Sequence, residues 1–251
     1  MLRTDPARHL TRVVVSIAAA ALMGVGCLEG PARSADCTDE AKRSARLAAK
    51  IREEWPLRSE DEVTRLVRSV MERLAATETP RSWRLEVVRN RSAQAHSIGG
   101  GRIYVSDGTL RAAESESELA AVLAHEMSHQ ALGHFCARSA YPESRWWQKP
   151  PLWGRDTTVG SVSLRVDPAK ELAADRFALG MLERAGYDPL ASLRIARRVE
   201  LAAPRGHLDE MGRVQRLEGL LAETRPVEAY QSASFGRVRR ALLAERGLNS
   251  R

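Results

Sequence analysis

Apolar and polar residues follow two different periods along this chain. From Asp39 to Trp55 and from Ser59 to Thr77 the apolar positions recur every three or four residues, which predicts two amphipathic helices. In the second, Val63, Leu66, Val67, Val70 and Leu74 share one face. Trp83 to Arg89 alternates residue by residue, as a half-buried strand does. Arg102 to Ser106 reads as a second strand after Gly99-Gly100-Gly101, a run that permits a bulge or a close backbone approach. Helical spacing returns over residues 115–133, 168–185, 188–202 and 208–224, and a final short helix follows Pro226. Between Phe135 and Val166 no period holds. That stretch carries Trp146, Trp147 and Trp153 beside Pro150 and Pro151, and reads as a lid, a membrane-facing surface or a cover for the core. Ser161 to Val166 is a candidate short strand. There is no internal repeat. The pattern predicts a mostly helical α+β domain with a small sheet.

One predicted helix carries His125-Glu126-Met127-Ser128-His129. Residues four apart project from the same helical face, so His125 and His129 can grip one Zn²⁺ ion. Glu126 sits beside them, where it can take a proton from water. The flanks support a helix: Ser115 with Glu118 reads as a capping box, Leu119, Val122, Leu123 and Met127 supply the apolar spacing, and Gly133 is a stop.

A hydrolytic zinc site needs a third protein ligand and an open position. The metzincin arrangement would place a histidine at position 135, which is Phe135, and His134 would fall on the opposite face of a continuing helix. The alternative is a carboxylate from a separate downstream helix. Asp167-Pro168 marks a helix start, and Glu171 and Asp175 then share a face, with Ala173 and Ala174 allowing close helix approach. Taken alone, this pattern also reads as an acidic pair on a solvated face beside Lys170 and Arg176. Joined to the histidine motif, Glu171 closes the metal triad and Asp175 becomes an acceptor for the far nitrogen of a ligand histidine.

With these residues the chain resembles the HtpX-like and CAAX prenyl endopeptidase family of gluzincin zinc metalloproteases. Upstream, Gln94-Ala-His-Ser-Ile-Gly-Gly-Gly-Arg-Ile-Tyr-Val105 is similar to the family's NAFALPGGxIYV segment, with Gln94 in place of the usual Asn. Downstream, His207 to Leu217 resembles its HPxxxxRIxxL segment, with Leu208 in place of Pro. The likeness runs over about residues 40–220. It implies a zincin-like (minigluzincin) fold in which the upstream segment forms an edge strand that holds substrate, here through Gly100, Gly101 and Ile103. It implies that His207 lies near the zinc, as a resting-state fourth ligand or an oxyanion stabiliser, and that Arg213 faces the developing charge. His134 matches a family histidine that is not a ligand.

Composition adds bounds. At 251 residues, 43% hydrophobic and 28% charged, the chain is an ordinary globular protein of one domain. The net charge of +7 comes from Arg and Lys scattered among 32 acidic residues, with no basic block, which argues against a nucleic-acid partner. Arg3, Arg8 and Arg12 precede an apolar stretch from Val13 to Val25, too short for a comfortable membrane span, and it ends at Gly24-Val-Gly-Cys27. Residues 1–26 read as an export signal, 27–40 as a tether and 41–251 as a single domain. Acylation of Cys27 would make a periplasmic, membrane-anchored lipoprotein; ordinary cleavage slightly downstream and an uncleaved anchor are the alternatives. Cys37 and Cys136 then form an even pair in an oxidising compartment, open to a disulfide. The functional expectation is a zinc endopeptidase with Glu126 as general base, one Zn²⁺ ion per chain and polypeptide substrates. The resemblance points to misfolded envelope proteins. A metal-binding chaperone or assembly factor, latched by His207, is the competing reading.

Overall fold

The structure, a computed structural model, describes residues 39–79, 81–91, 93–136, 168–202 and 208–245. Helices α1 (Glu40–Glu54) and α2 (Glu62–Ala75) come first. The helix α2 starts where Asp61 accepts a hydrogen bond from the Thr64 amide at 3.0 Å, and it buries the predicted stripe from Val63 to Leu74. Strands β1 (Arg84–Val88), β2 (Ala95–Ser97) and β3 (Arg102–Ser106) follow. They form one mixed sheet in the order β1-β3-β2, with β1 parallel and β2 antiparallel to the central β3. The upstream segment is thus a hairpin, with Ala95–Ser97 as its outer strand and Arg102–Ser106 as its inner one.

Alternation along β3 splits the core. Ile103 and Val105 point into the larger apolar cluster with α2 residues, and Tyr104 between them packs with Leu47, Ile51 and Trp55 of the α1 side. The sheet is covered on both faces. A short helix not anticipated from the sequence, α3 (Asp107–Ala112), leaves β3 directly, capped by Ser106.

Helix α4 (Glu116–Ala131) carries the histidine motif and packs against α2, the sheet, α5 (Pro168–Arg184) and α6 (Ala191–Ala202). It is buried nearly all round, as a helix enclosed on every side must be. Ser115 accepts from the Glu118 amide at 3.3 Å, and the Glu118 carboxylate accepts from the Glu114 amide at 2.7 Å. Helices α7 (Leu208–Leu221) and α8 (Ala233–Ala244) complete the element order. Among the described residues no helix is long and apolar enough to cross a membrane. The expected strand at 161–166, the Trp-rich connection, Asp167 and the N-terminal signal and tether up to residue 38 lie outside the described residues.

Candidate metal centre

The 3.6-residue period of α4 stacks His125 and His129, and their Nε2 atoms lie 3.2 Å apart. The helix α5 crosses close enough, with Ala174 fully buried, to bring Glu171 onto both rings. Its carboxylate oxygens stand 3.2 Å from His125 Nε2 and 3.5 Å from His129 Nε2. These three residues form the one metal-capable His/Cys/Asp/Glu group among the described residues. The spacing fits the ion. Bonds of about 2.0–2.1 Å to zinc define a tetrahedron whose edge is about 3.3 Å. Two imidazoles and a carboxylate are also a donor set that zinc accepts.

The far nitrogen of each histidine is held. His125 Nδ1 lies 2.9 Å from Asp175 Oδ1, and its Nε2 is the ring nitrogen that faces Glu171. His129 Nδ1 lies 2.9 Å from His134 Nδ1. Arg213, from α7, donates to the same Asp175 oxygen at 3.0 Å, so arginine, carboxylate and imidazole form a chain. The Arg213 guanidinium, the candidate for facing charge that develops on substrate, is held by this contact to Asp175.

The electrostatics follow from burial and these neighbours. Burial disfavours the Glu171 carboxylate, but hydrogen bonds from His125 and His129 hold it well below the usual range. Burial opposes the Asp175 charge as well, yet Arg213 and His125 bring its pKa to about 2. For His125, burial and the Arg213 charge push downward; Asp175 and Glu171 outweigh them, at about 9. Burial, with His129 and Lys170 nearby, lowers His134 to about 4.

Glu126 points from α4 toward β2, where its carboxylate accepts the Ser97 amide proton at 2.8 Å. Gly100, Gly101 and Ile103, the candidates for meeting substrate, lie on the turn and the central strand of the hairpin. Ile103 is 0% exposed on the central strand. The Gly100 amide donates to Glu40, and that of Gly101 to Gln130. At Gly101 φ is +75°, and a Cβ would sit 1.8 Å from the Ser82 carbonyl oxygen, so only glycine fits. The outer backbone of the hairpin is β2. His207, Cys27 and Cys37 lie outside the described residues, whereas Cys136 is described and is disulfide-bonded.

A pair of helix-borne histidines closed by a carboxylate from a second helix, with an acid held beside them, is a metallopeptidase arrangement. Residues 57–143 match Peptidase family M48. The matched span takes in the whole of α4 and stops before α5, so the assignment of Glu171 and Asp175 rests on geometry. The chain is 39% identical over 59 residues to the mitochondrial metalloendopeptidase OMA1 of Schizosaccharomyces pombe, covering 24% of this chain and 18% of that protein. It is 31% identical over 124 residues to a putative beta-barrel assembly-enhancing protease of Vibrio cholerae, covering 41% and 25%. It is 25% identical over 165 residues to the beta-barrel assembly-enhancing protease of Escherichia coli, covering 56% and 33%. The chain therefore spans no more than a third of the length of these relatives. The M48 match and these relatives support a metalloprotease, a class whose substrates are polypeptides.

Three contacts at the site were not read from the sequence: the Ser97 amide on Glu126, the hydrogen bonds of Gln130 to the hairpin, and His134 on His129. A glutamine one turn beyond Glu126, on the same face of the helix, was the available signal for the second.

Proposed function

We propose that this chain is a zinc-dependent endopeptidase of the gluzincin type, acting on exported or membrane-associated proteins. The observation that carries the reading is the near-tetrahedral spacing of His125 Nε2, His129 Nε2 and the Glu171 carboxylate, with Glu126 adjacent. Zinc, when bound, supplies a Lewis acid that acidifies water and polarises the scissile carbonyl. The protein does the rest. Asp175 and His134 fix the tautomers that keep both Nε2 lone pairs available, and Arg213 holds Asp175 ionised. Glu126, steadied by the Ser97 amide, takes the proton of the attacking water and passes it to the leaving amine. An extended peptide pairs with the open edge of β2, which brings its carbonyl over the site. His207 serves as oxyanion partner or as a resting latch.

The relatives named as beta-barrel assembly-enhancing proteases support envelope proteins as substrates, with the protein exported and periplasmic. The apolar stretch before Cys27 supports a lipid anchor, and Cys37 is the partner we assign to Cys136. The test is zinc content of the purified protein together with casein cleavage by the wild type and Glu126→Gln. One zinc per chain with cleavage lost in the variant supports the reading. Zinc with equal, negligible cleavage by both points to the latched chaperone, and absence of zinc sinks the central claim.

A further inference from the structure

Gln130 lies one residue beyond His129 and one turn beyond Glu126, on the same face of α4. It is 1% exposed. A glutamine side chain offers two N–H donors and a carbonyl acceptor, and here all are engaged. Its Nε2 donates to Ser97 Oγ at 2.5 Å and to the Arg102 carbonyl at 3.0 Å, and its Oε1 accepts from the Gly101 amide at 2.6 Å. Those three residues bracket the turn between β2 and β3. Its main-chain carbonyl also accepts from Arg81 at 2.7 Å, which ties α4 to the chain entering β1.

Ser97 is consequently held at two points by residues one helical turn apart: its amide by Glu126, its hydroxyl by Gln130. Antiparallel pairing makes the strand's groups face β3 alternately. Gln94 O accepts from Ser106 and Ile98 N donates to Arg102, so the backbone groups of Ala95 and Ser97 point away from β3, to the side where no further strand pairs among the described residues and where Glu126 accepts from the Ser97 amide. The position of that edge relative to Glu126 is therefore set by the Gln130 contacts.

We propose that Gln130 is a positioning residue, which fixes the open edge of β2 over Glu126 and the ligand histidines and so sets where a paired peptide presents its carbonyl. The inference rests on the endopeptidase reading. Gln130 touches the hairpin rather than the ligand triad, so zinc content is the control.

The test uses the full chain with Gln130→Leu, Ser97→Ala and the double variant, each normalised to bound zinc. Misplacement of the strand is expected to lower kcat/KM on casein by about 10²-fold in Gln130→Leu. KM rises as well, which a smaller folded fraction would leave unchanged. The double variant falls no further than Gln130→Leu, because both changes break one contact network. Amide hydrogen exchange accelerates at Ser97–Arg102 while α4 and α5 stay protected. Wild-type kcat/KM in Gln130→Leu, or a loss that disappears on normalisation with KM unchanged, overturns the proposal. If Gln130→Leu does not fold, Ser97→Ala decides: a raised KM supports positioning, and unaltered kinetics overturn it. A wild type no more active than Glu126→Gln sinks the endopeptidase reading, and this inference with it; failure of the inference alone leaves that difference intact.

Discussion

The two histidines proposed as zinc ligands are buttressed unequally. Asp175 presents a carboxylate to His125 Nδ1, itself charge-paired with Arg213, while His129 Nδ1 meets only the neutral-leaning imidazole of His134. A carboxylate raises the basicity of its histidine, so the larger loss is expected at Asp175. Asp175→Asn keeps the shape and removes the charge, and zinc affinity should fall by about 10–100-fold. His134→Ala should weaken zinc by less. Competition against a chromogenic chelator measures both, and unchanged affinity in the two variants would refute the buttressing role. Asp175 was legible in the sequence because its spacing from Glu171 is a property of one helix. His134 was not. A helix stop at Gly133 and a non-ligand role for His134 were readable, but not where its ring would go: φ at Gly133 is +70°, and the chain folds the ring back onto His129. Ser97 and Gln130 were illegible for a related reason, since their contacts join a helix to a hairpin distant in sequence.

At the scale of elements, α4 is anchored by its own first turn. Glu116 is 1% exposed and accepts from Tyr187 Oη at 3.0 Å, the Ser232 amide at 2.8 Å and the Ser232 hydroxyl at 2.5 Å. Glu118 pairs with Arg198 of α6. Glu116→Ala leaves the buried Tyr187 hydroxyl without its acceptor, at about 1–3 kcal/mol for an unsatisfied group, and urea unfolding should register a loss of that order. A loss under half a kcal/mol would refute the anchor. The same contact makes a pH prediction. Burial and the Glu116 charge raise the Tyr187 pKa well above its ordinary 10.0. The folded state therefore keeps a proton that the unfolded chain releases above about pH 10, and stability is whole below that pH and declines as pH rises beyond it. Tyr187→Phe should flatten the decline between pH 9.5 and about 11; an identical slope in the variant would contradict the assignment. The long periodic elements, α2 above all, were readable because seven or more residues sample the period. The outer strand β2 has three residues and α3 has six, too few to declare one. The helix α4 lacks a broad polar face, and its cap at Ser115 and the histidine spacing, rather than amphipathic contrast, made it readable.

Across the whole molecule the metal triad joins two helices that the sequence separates by a long connection. The sheet, α2, α5 and α6 all pack on α4, and α5 is tied to it by Glu171 and Asp175 on the histidines as well as by apolar contact. An ion that binds only the folded arrangement stabilises it by mass action, about 4.1 kcal/mol when free zinc stands a thousandfold above its Kd. For a chain of this size each kcal/mol is worth about 2–4 °C in Tm, so zinc should raise the midpoint on the order of 10 °C, and a chelator should return it. Glu171→Ala separates this from nonspecific metal effects: it leaves the histidine pair and the Asp175–His125 contact but removes the third ligand, so most of the zinc-dependent rise should vanish. Glu126→Gln removes the base and no ligand, and should keep the rise in full while abolishing cleavage. A Tm indifferent to zinc and chelator in the wild type would mean that the triad does not hold the two helices together. A rise retained by Glu171→Ala would move the third ligand elsewhere.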